Sequence, residues 1–315
     1  MSKRSEWTWK TSDPAVNARL HLKYEPGNWG DVLKGAWLVP VAREIAQQRQ
    51  HRSCAAPLGQ HVSKVTCPDS SPGSYLSPPT PVPPALDGGI VRYLDPFAGA
   101  PSYPLLKASA TRLELLPAGE HLERLRFYTI KGEWPSCALL ARDTLRAHGA
   151  VPKLLLFDAH AQARSSWSHT EDAEVIECAS GEYLFEKRRR KLLAPDLVLL
   201  DSYDFFDRWG GLLSALESIA REVPVLVYVF NTSPKGQGHA SQYLRLRKKL
   251  TAAAKANGPI LLGRLPYDMH CPQAYHEVLL LAPRIFTSAL RAELKANSEE
   301  LARRHAGASA FEVIQ

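Results

Sequence analysis

The chain has 315 residues, 45% of them hydrophobic and 23% charged, enough to bury a core as one large domain or two small ones. Its formal charge of +7, from 39 Lys+Arg against 32 Asp+Glu, excludes an acidic disordered solvator and favours an anionic partner. No run of about 18 apolar residues occurs, the first residues lack the apolar core of a secretory signal, and the five cysteines match no zinc or disulfide spacing. The expectation is a cytoplasmic monomer with reduced thiols, no metal and no membrane partner.

After a polar, Trp-containing start, helical spacing of apolar residues predicts a helix from Gly30 to Gln48, with Pro40 kinking it. Residues 49–88 change character. Eight prolines fall between Pro57 and Pro84, among Ser, Thr and Gly. Such a stretch buries too little apolar surface to offset its ordering entropy, so a flexible insertion is expected. From residue 89, short apolar runs alternate with helical stretches. The runs are Ile90–Asp95, Lys153–Asp158, Glu174–Cys178, Asp196–Asp201, Val223–Phe230, Pro259–Leu265 and His276–Ala282. Helices are expected near 140–148, 209–222 and 239–256. Runs apolar throughout suit strands buried on both faces of a parallel sheet, and the alternation predicts a doubly wound α/β fold. The domain reading is a segment and helix over 1–48 packing on the main domain, the insertion 49–88, the main domain 89–290 and a helical tail 291–315.

In such sheets ligands bind beyond the carboxyl ends of the strands, so the residues after each run are the site candidates. The first run ends Tyr93-Leu-Asp-Pro-Phe-Ala-Gly-Ala-Pro101, an acid followed by a small-residue turn that lets a cofactor approach the backbone. The second ends in Asp158, suited to accept from both hydroxyls of a ribose. The third is followed by Ala179-Ser-Gly181, suited to an adenine edge. The fourth ends Leu200-Asp-Ser-Tyr-Asp-Phe-Phe206. Each alone has a plainer explanation, as a helix cap or core packing. Together they predict a nucleoside-containing cofactor. S-adenosylmethionine fits better than NAD, because G-x-G-x-x-G is absent.

Several stretches then resemble one family. Tyr24-Glu-Pro-Gly-Asn-Trp-Gly-Asp-Val-Leu-Lys34 resembles the N-terminal signature F-H-A-G-N-H-A-D-V-L-K-H of the RlmJ-type large-subunit rRNA adenine-N6 methyltransferases. Tyr93–Tyr103 resembles its Y-L-D-T-H-A-G-A-G-x-Y, and Pro135–Arg142 its P-G-S-P-L-I-A-R. Phe157-Asp-Ala-His160 resembles T-E-L-H, Ala179–Gly181 resembles A-D-G, and Leu199–Tyr203 stands where the family has I-D-P-P-Y. The resemblance implies a class I S-adenosylmethionine-dependent methyltransferase fold, Rossmann-like, with a seven-stranded, mostly parallel sheet whose last strand is antiparallel. It implies cofactor contacts at Lys34, Asp95, Phe97, Gly99, Cys137, Asp158, Ser180, Gly181 and Asp201, catalytic roles for Asp201 and Tyr203, and an entrance shaped by Asn28 and Asp31.

The chain departs from this pattern. The family's two cofactor-touching histidines are Gly35 and Phe97 here, and Pro101 replaces a glycine of the turn. In D-P-P-Y the carboxylate and the first proline carbonyl accept the hydrogens of a poorly nucleophilic amine, the prolines fix the loop and the aromatic stacks on a flipped base. Here Asp201 and a Ser202 carbonyl remain, both prolines are gone and Tyr203 comes one position early. The family's helical insertion after strand one is reduced to residues 103–134.

Lys187-Arg188-Arg189-Arg190-Lys191, before strand four, and Arg245-Leu-Arg-Lys-Lys249, on a helix, are candidate phosphate contacts, with a solvated face as the alternative. Trp7, Trp9 and Trp29 are stacking candidates, with packing the alternative. His239 and His270 have no partner pattern that makes a metal site. Three functional readings follow: a methyltransferase acting on an RNA base, a methyltransferase scaffold retained for RNA or protein binding after loss of catalysis, and a methyltransferase with a non-RNA acceptor.

Overall fold

A computed structural model describes residues 26–55, 89–158, 161–177, 194–201, 220, 223–231, 237–266, 275–281, 287–305 and 311–315. The elements in chain order are α1 (Trp29–Ala55), β1 (Ile90–Asp95), β2 (Ser102–Pro104), α2 (Lys107–Glu114), α3 (Glu120–Thr129), β3 (Glu133–Pro135), α4 (Cys137–Ala147) and β4 (Val151–Asp158). They continue with α5 (Ala161–Ser166), β5 (Ala173–Glu177), β6 (Leu197–Leu200), β7 (Val225–Asn231), α6 (Gln237–Asn257), β8 (Ile260–Pro266), β9 (Tyr275–Leu281), α7 (Ser288–His305) and β10 (Phe311–Ile314).

Eight strands form one mixed sheet in the order β10-β8-β9-β7-β6-β1-β4-β5. The block β7-β6-β1-β4-β5 is parallel throughout, while β9 runs antiparallel to both β7 and β8, and β10 antiparallel to β8. The apolar runs read from the sequence fall on these strands within two residues of the expected limits. Those of β4, β6, β7, β8 and β9 are buried on both faces over most of their length, as unbroken Leu/Val runs require, while β5 at the edge is partly exposed. One face buries Tyr93, Leu154, Leu156, Leu197 and Leu199 in a cluster with α1, α4 and α7; the other buries Leu94, Leu155, Phe157, Val198 and Leu200 in a second cluster to which α6 contributes Leu246, Leu250 and Ala254.

Two expectations are corrected. The sheet has eight strands rather than seven, because the tail expected to be helical contributes α7 and then β10, whose Phe311 and Glu312 pair with Gly263 and Leu262 of β8. The first helix runs on to Ala55 through Pro40, so residues 49–55 of the expected flexible insertion are helical. Its last turns are held: Arg49 is ion-paired to Asp196, and Gln50 Nε2 donates to the His148 carbonyl at 2.6 Å. The short stretch after β1, residues 103–134, holds α2 and α3 between parts of β2 and β3, with Tyr103 paired to Trp134. Residues 56–88 and, apart from Ala220, the helix expected over 209–222 lie outside the described residues.

β1 has β4 on one side and β6 on the other. The winding of the sheet reverses there, which opens a crevice beyond the carboxyl ends of these strands. Asp95, Asp158 and Asp201 stand at those three ends.

Candidate functional site

Two half-sites meet at this rim. The first is the turn after β1. Asp95 is buried at the end of the strand, its Oδ1 accepting from the Phe97 N–H at 2.9 Å and its Oδ2 from the Tyr93 hydroxyl at 3.3 Å. Burial and the neighbouring Asp201 charge raise its pKa to about 7, against the opposing pull of the Phe97 N–H, Lys34 and Tyr93. The Gly99 N–H donates to Asp158 Oδ2 at 3.0 Å, tying the turn to the tip of β4. Gly99 has φ +62°, and a Cβ there would lie 2.4 Å from the Tyr103 hydroxyl, so only glycine fits. The Gly99 carbonyl accepts from Trp167 Nε1 at 2.8 Å. Pro101, which stands where the family has a glycine, offers its carbonyl to the Ser136 N–H at 2.8 Å, which fixes the start of α4. Phe97 is half-buried beside this turn.

The second half-site is built by α1. Asn28 is its N-cap, accepting from the Asp31 N–H at 3.1 Å, while Asp31 Oδ2 accepts from the Gly27 N–H at 2.8 Å. The stretch after β1 holds this cap from outside: Ser109 Oγ donates to the Pro26 carbonyl at 2.6 Å and Arg112 to the Gly27 carbonyl at 2.9 Å. One turn into the helix, the buried Lys34 ammonium pairs with Asp31 Oδ1 at 2.9 Å and with Asp201 Oδ2. It also stands 4.6 Å from the centre of the Tyr228 ring, and the Tyr228 hydroxyl is hydrogen-bonded to His276 Nδ1 at 2.6 Å. Asn28, one of the residues expected to shape an entrance, caps the helix, and Asp31, the other, is a counter-ion to Lys34.

Cys137, the first residue of α4, joins the two halves. Burial pushes its thiol pKa far up; Lys34 pulls it down, and Asp201, Asp31 and Asp95 push it up. It is therefore a neutral thiol, suited to packing rather than nucleophilic attack. The structure brings Lys34, Asp31, Asp95, Phe97, Gly99, Cys137, Asp158 and Asp201 to one rim. Tyr203, Ser180, Gly181, Lys187, Arg188, Arg189, Arg190 and Lys191 lie outside the described residues, as do Trp7, Trp9, His270 and the His239 side chain. Trp29 packs against the core at the start of α1.

Sequence reasoning missed Tyr93, Tyr103, Trp167, Tyr228 and His276. Tyr228 and His276 are polar residues within apolar strands on the face covered by α1, and that pattern was the available signal. Among the described residues, no group of three or more His, Cys, Asp or Glu is placed to hold a metal ion, and no helix is long and apolar enough to cross a membrane.

No protein-family model and no curated protein matches the chain. Among solved structures, it is similar to a protein from Legionella pneumophila described by the family model DUF519, with a TM-score of 0.53, 14% identity, and coverage of 92% of this chain and 97% of that one. At that identity the likeness concerns the fold alone: a mixed α/β architecture around a large, mostly parallel sheet.

Proposed function

We propose that the chain is an S-adenosylmethionine-dependent methyltransferase of class I architecture, acting on an RNA base through an exocyclic amine. The observation that carries the reading is the meeting of Asp95, Asp158 and Asp201 with the Gly99 turn at the switch point of the sheet. The run β5-β4-β1-β6-β7-β9-β8 supports the class I assignment: seven strands, the last in sequence antiparallel between two others, with β10 added outside them.

The donor set fits the group. Asp31 and Asp201 pair with one ammonium, Lys34, and Asp158 and the partly ionised Asp95 stand at the neighbouring strand ends, so the rim favours a cationic ligand. When bound, the cofactor supplies an electrophilic methyl group on a sulfonium. Asp158 accepts from the ribose, sharing its carboxylate with the Gly99 N–H. Asp95 and Gly99 shape the methionine end. Ser180 and Gly181 hold the adenine by the resemblance that named them. Asp201 orients the acceptor amine through a carboxylate already steadied at Oδ2 by Lys34, with Tyr203 beside the base. The methyl transfer is a direct displacement, so no covalent enzyme intermediate is required.

A second reading, a scaffold retained for binding alone, is favoured by one observation: Asp201 is already engaged by Lys34. Calorimetric titration with S-adenosylmethionine, followed by label transfer to total RNA, tests both. The methyltransferase reading expects heat, a roughly tenfold or larger affinity loss in Asp158→Ala with recovery in Asp158→Glu, and transfer lost in Asp201→Ala with heat retained. Heat without transfer in the unmodified protein overturns RNA as the methyl acceptor. No heat at all overturns the pocket.

A further inference from the structure

Helix α6 is charged unlike any ordinary solvated helix of this chain. Its 21 residues contain no Asp or Glu but five basic residues: Arg245, Arg247, Lys248, Lys249 and Lys255. Arg247 is ion-paired to Glu312 of β10. The other four are exposed and make no ion pair among the described residues. At about 100° per residue they fall within an arc of roughly 120° and span about 15 Å along the axis. The opposite side of the helix is committed: Leu246, Leu250 and Ala254 are buried against the sheet.

Helix α7 shows what a solvated face of this protein looks like. It mixes signs, and its charges pair along the helix: Lys295 with Glu299 at 3.8 Å, and Arg303 and Arg304 with Glu300 at 2.6 and 2.5 Å. On α6, Arg245 stands three and four residues before Lys248 and Lys249, so like charges are neighbours and repel. The helix keeps that repulsion with no internal carboxylate to relieve it.

We infer that the outer face of α6 is a phosphate-binding surface that docks the RNA backbone on the flank of the sheet. The partner's identity rests on the RNA reading above; the surface itself does not. An interfacial membrane helix would present an apolar stripe beside its cations, and Leu246, Leu250 and Ala254 of α6 are already buried in the sheet, leaving Leu244 as the one large exposed apolar residue among its described side chains. A row of cations without such a stripe matches a polyanion contacted through its phosphates. α6 follows β7, so its first turn lies at the carboxyl end of the parallel strands and the basic residues, from Arg245 about 12 Å further along to Lys255, run from there toward the amino ends. Arg247 pairs with Glu312 of β10, four strands from β6, so RNA on this face lies along the flank of the sheet and reaches the Asp201 rim only by extending over several nucleotides.

The test is binding of a short fluorescein-labelled RNA hairpin, followed by anisotropy across a series of salt concentrations, with anionic phosphatidylserine vesicles as a parallel probe. The quadruple variant Arg245→Ala, Lys248→Ala, Lys249→Ala and Lys255→Ala should bind RNA at least about tenfold more weakly at 0.1 M salt. It should also lose roughly 3 from the slope of log K against log salt. The control, Lys295→Ala with Arg303→Ala on α7, should leave both unchanged. A thermal midpoint of the quadruple variant at or above that of the parent would show the loss is not one of folding; the charge-swap pair Lys248→Glu and Lys249→Glu supplies the same test if it is lower. Equal affinity and slope in parent and quadruple variant overturn the surface, even if methyl transfer to RNA is observed. Vesicle binding lost in the variant, with no RNA binding by the parent, overturns the RNA partner, and the calorimetric heat with S-adenosylmethionine then shows that the pocket stands regardless.

Discussion

The two halves of the rim hold their carboxylates by different means. Between β1 and β4, Asp95 and Asp158 accept from backbone N–H groups of the turn that follows β1. Between α1 and β6, Asp31 and Asp201 share the ammonium of Lys34, which precedes Asp201 by 167 residues in the chain. The first arrangement is local: its donors are fixed once the turn forms. The second depends on docking a whole helix and on burying a charge, so a single substitution leaves unpaired charge behind. The turn half is thus a preformed cradle, and the helix half is where the chain's own charge stands in the path of an acceptor.

The largest effect that would sharpen this contrast is Lys34→Met. It leaves Asp31 buried with its ammonium partner removed, and unpaired buried charge costs about 3–5 kcal/mol. Urea denaturation should show that loss at pH 7; a loss under about 1 kcal/mol would mean that the helix half does not depend on the pair.

The next effect reads the turn half through pH. Asp95 has a folded-state pKa of about 7 against an ordinary value of 3.8, so between those values the folded protein holds a proton that the unfolded chain releases. Its contribution to stability is full below about pH 4 and is lost as pH rises to 7, roughly 2–4 kcal/mol in all. Asp95→Asn keeps an acceptor for the Phe97 N–H and removes the titration. Stability measured by urea across pH 4 to 8 should shift progressively in favour of the variant as pH rises. A parent-to-variant difference that stays constant with pH would break the assignment.

The smallest effect concerns the shape of the turn. Gly99→Ala places a Cβ against the Tyr103 hydroxyl at positive φ and should cost about 1–3 kcal/mol. Adding Tyr103→Phe removes the obstructing oxygen and should restore part of the loss, less what the Ala100 N–H forfeits with its acceptor. A double variant no better than the single one would show that backbone strain, not the contact, sets the cost.

The strands were legible because each is a short apolar run between polar turns, and burial on both faces leaves no other way to satisfy Leu197–Leu200 or Val225–Val229. The rim carboxylates were legible for the same reason: once strands are placed, their ends are placed. What escaped was set by contacts between distant segments. The Tyr228–His276 bond joins two strands that become neighbours only through the antiparallel insertion of β9. Asn28 sits in the most distinctive motif of the chain, yet its side chain caps a helix, a role that any Asn before a helix can fill. β10 escaped because four residues carry too little alternation to compete with the helical pattern before them.

That last strand has an effect out of proportion to its length. A β8 left bare would offer the apolar ladder Ile260-Leu-Leu to any other extended chain, an invitation to stack copies edge to edge. Phe311–Ile314 occupies that ladder, and Glu312 clasps Arg247 across it. The outermost strand is then only four residues long and carries a charge, a stub too short to template growth, so the protein ends its own sheet instead of leaving a neighbour to do so.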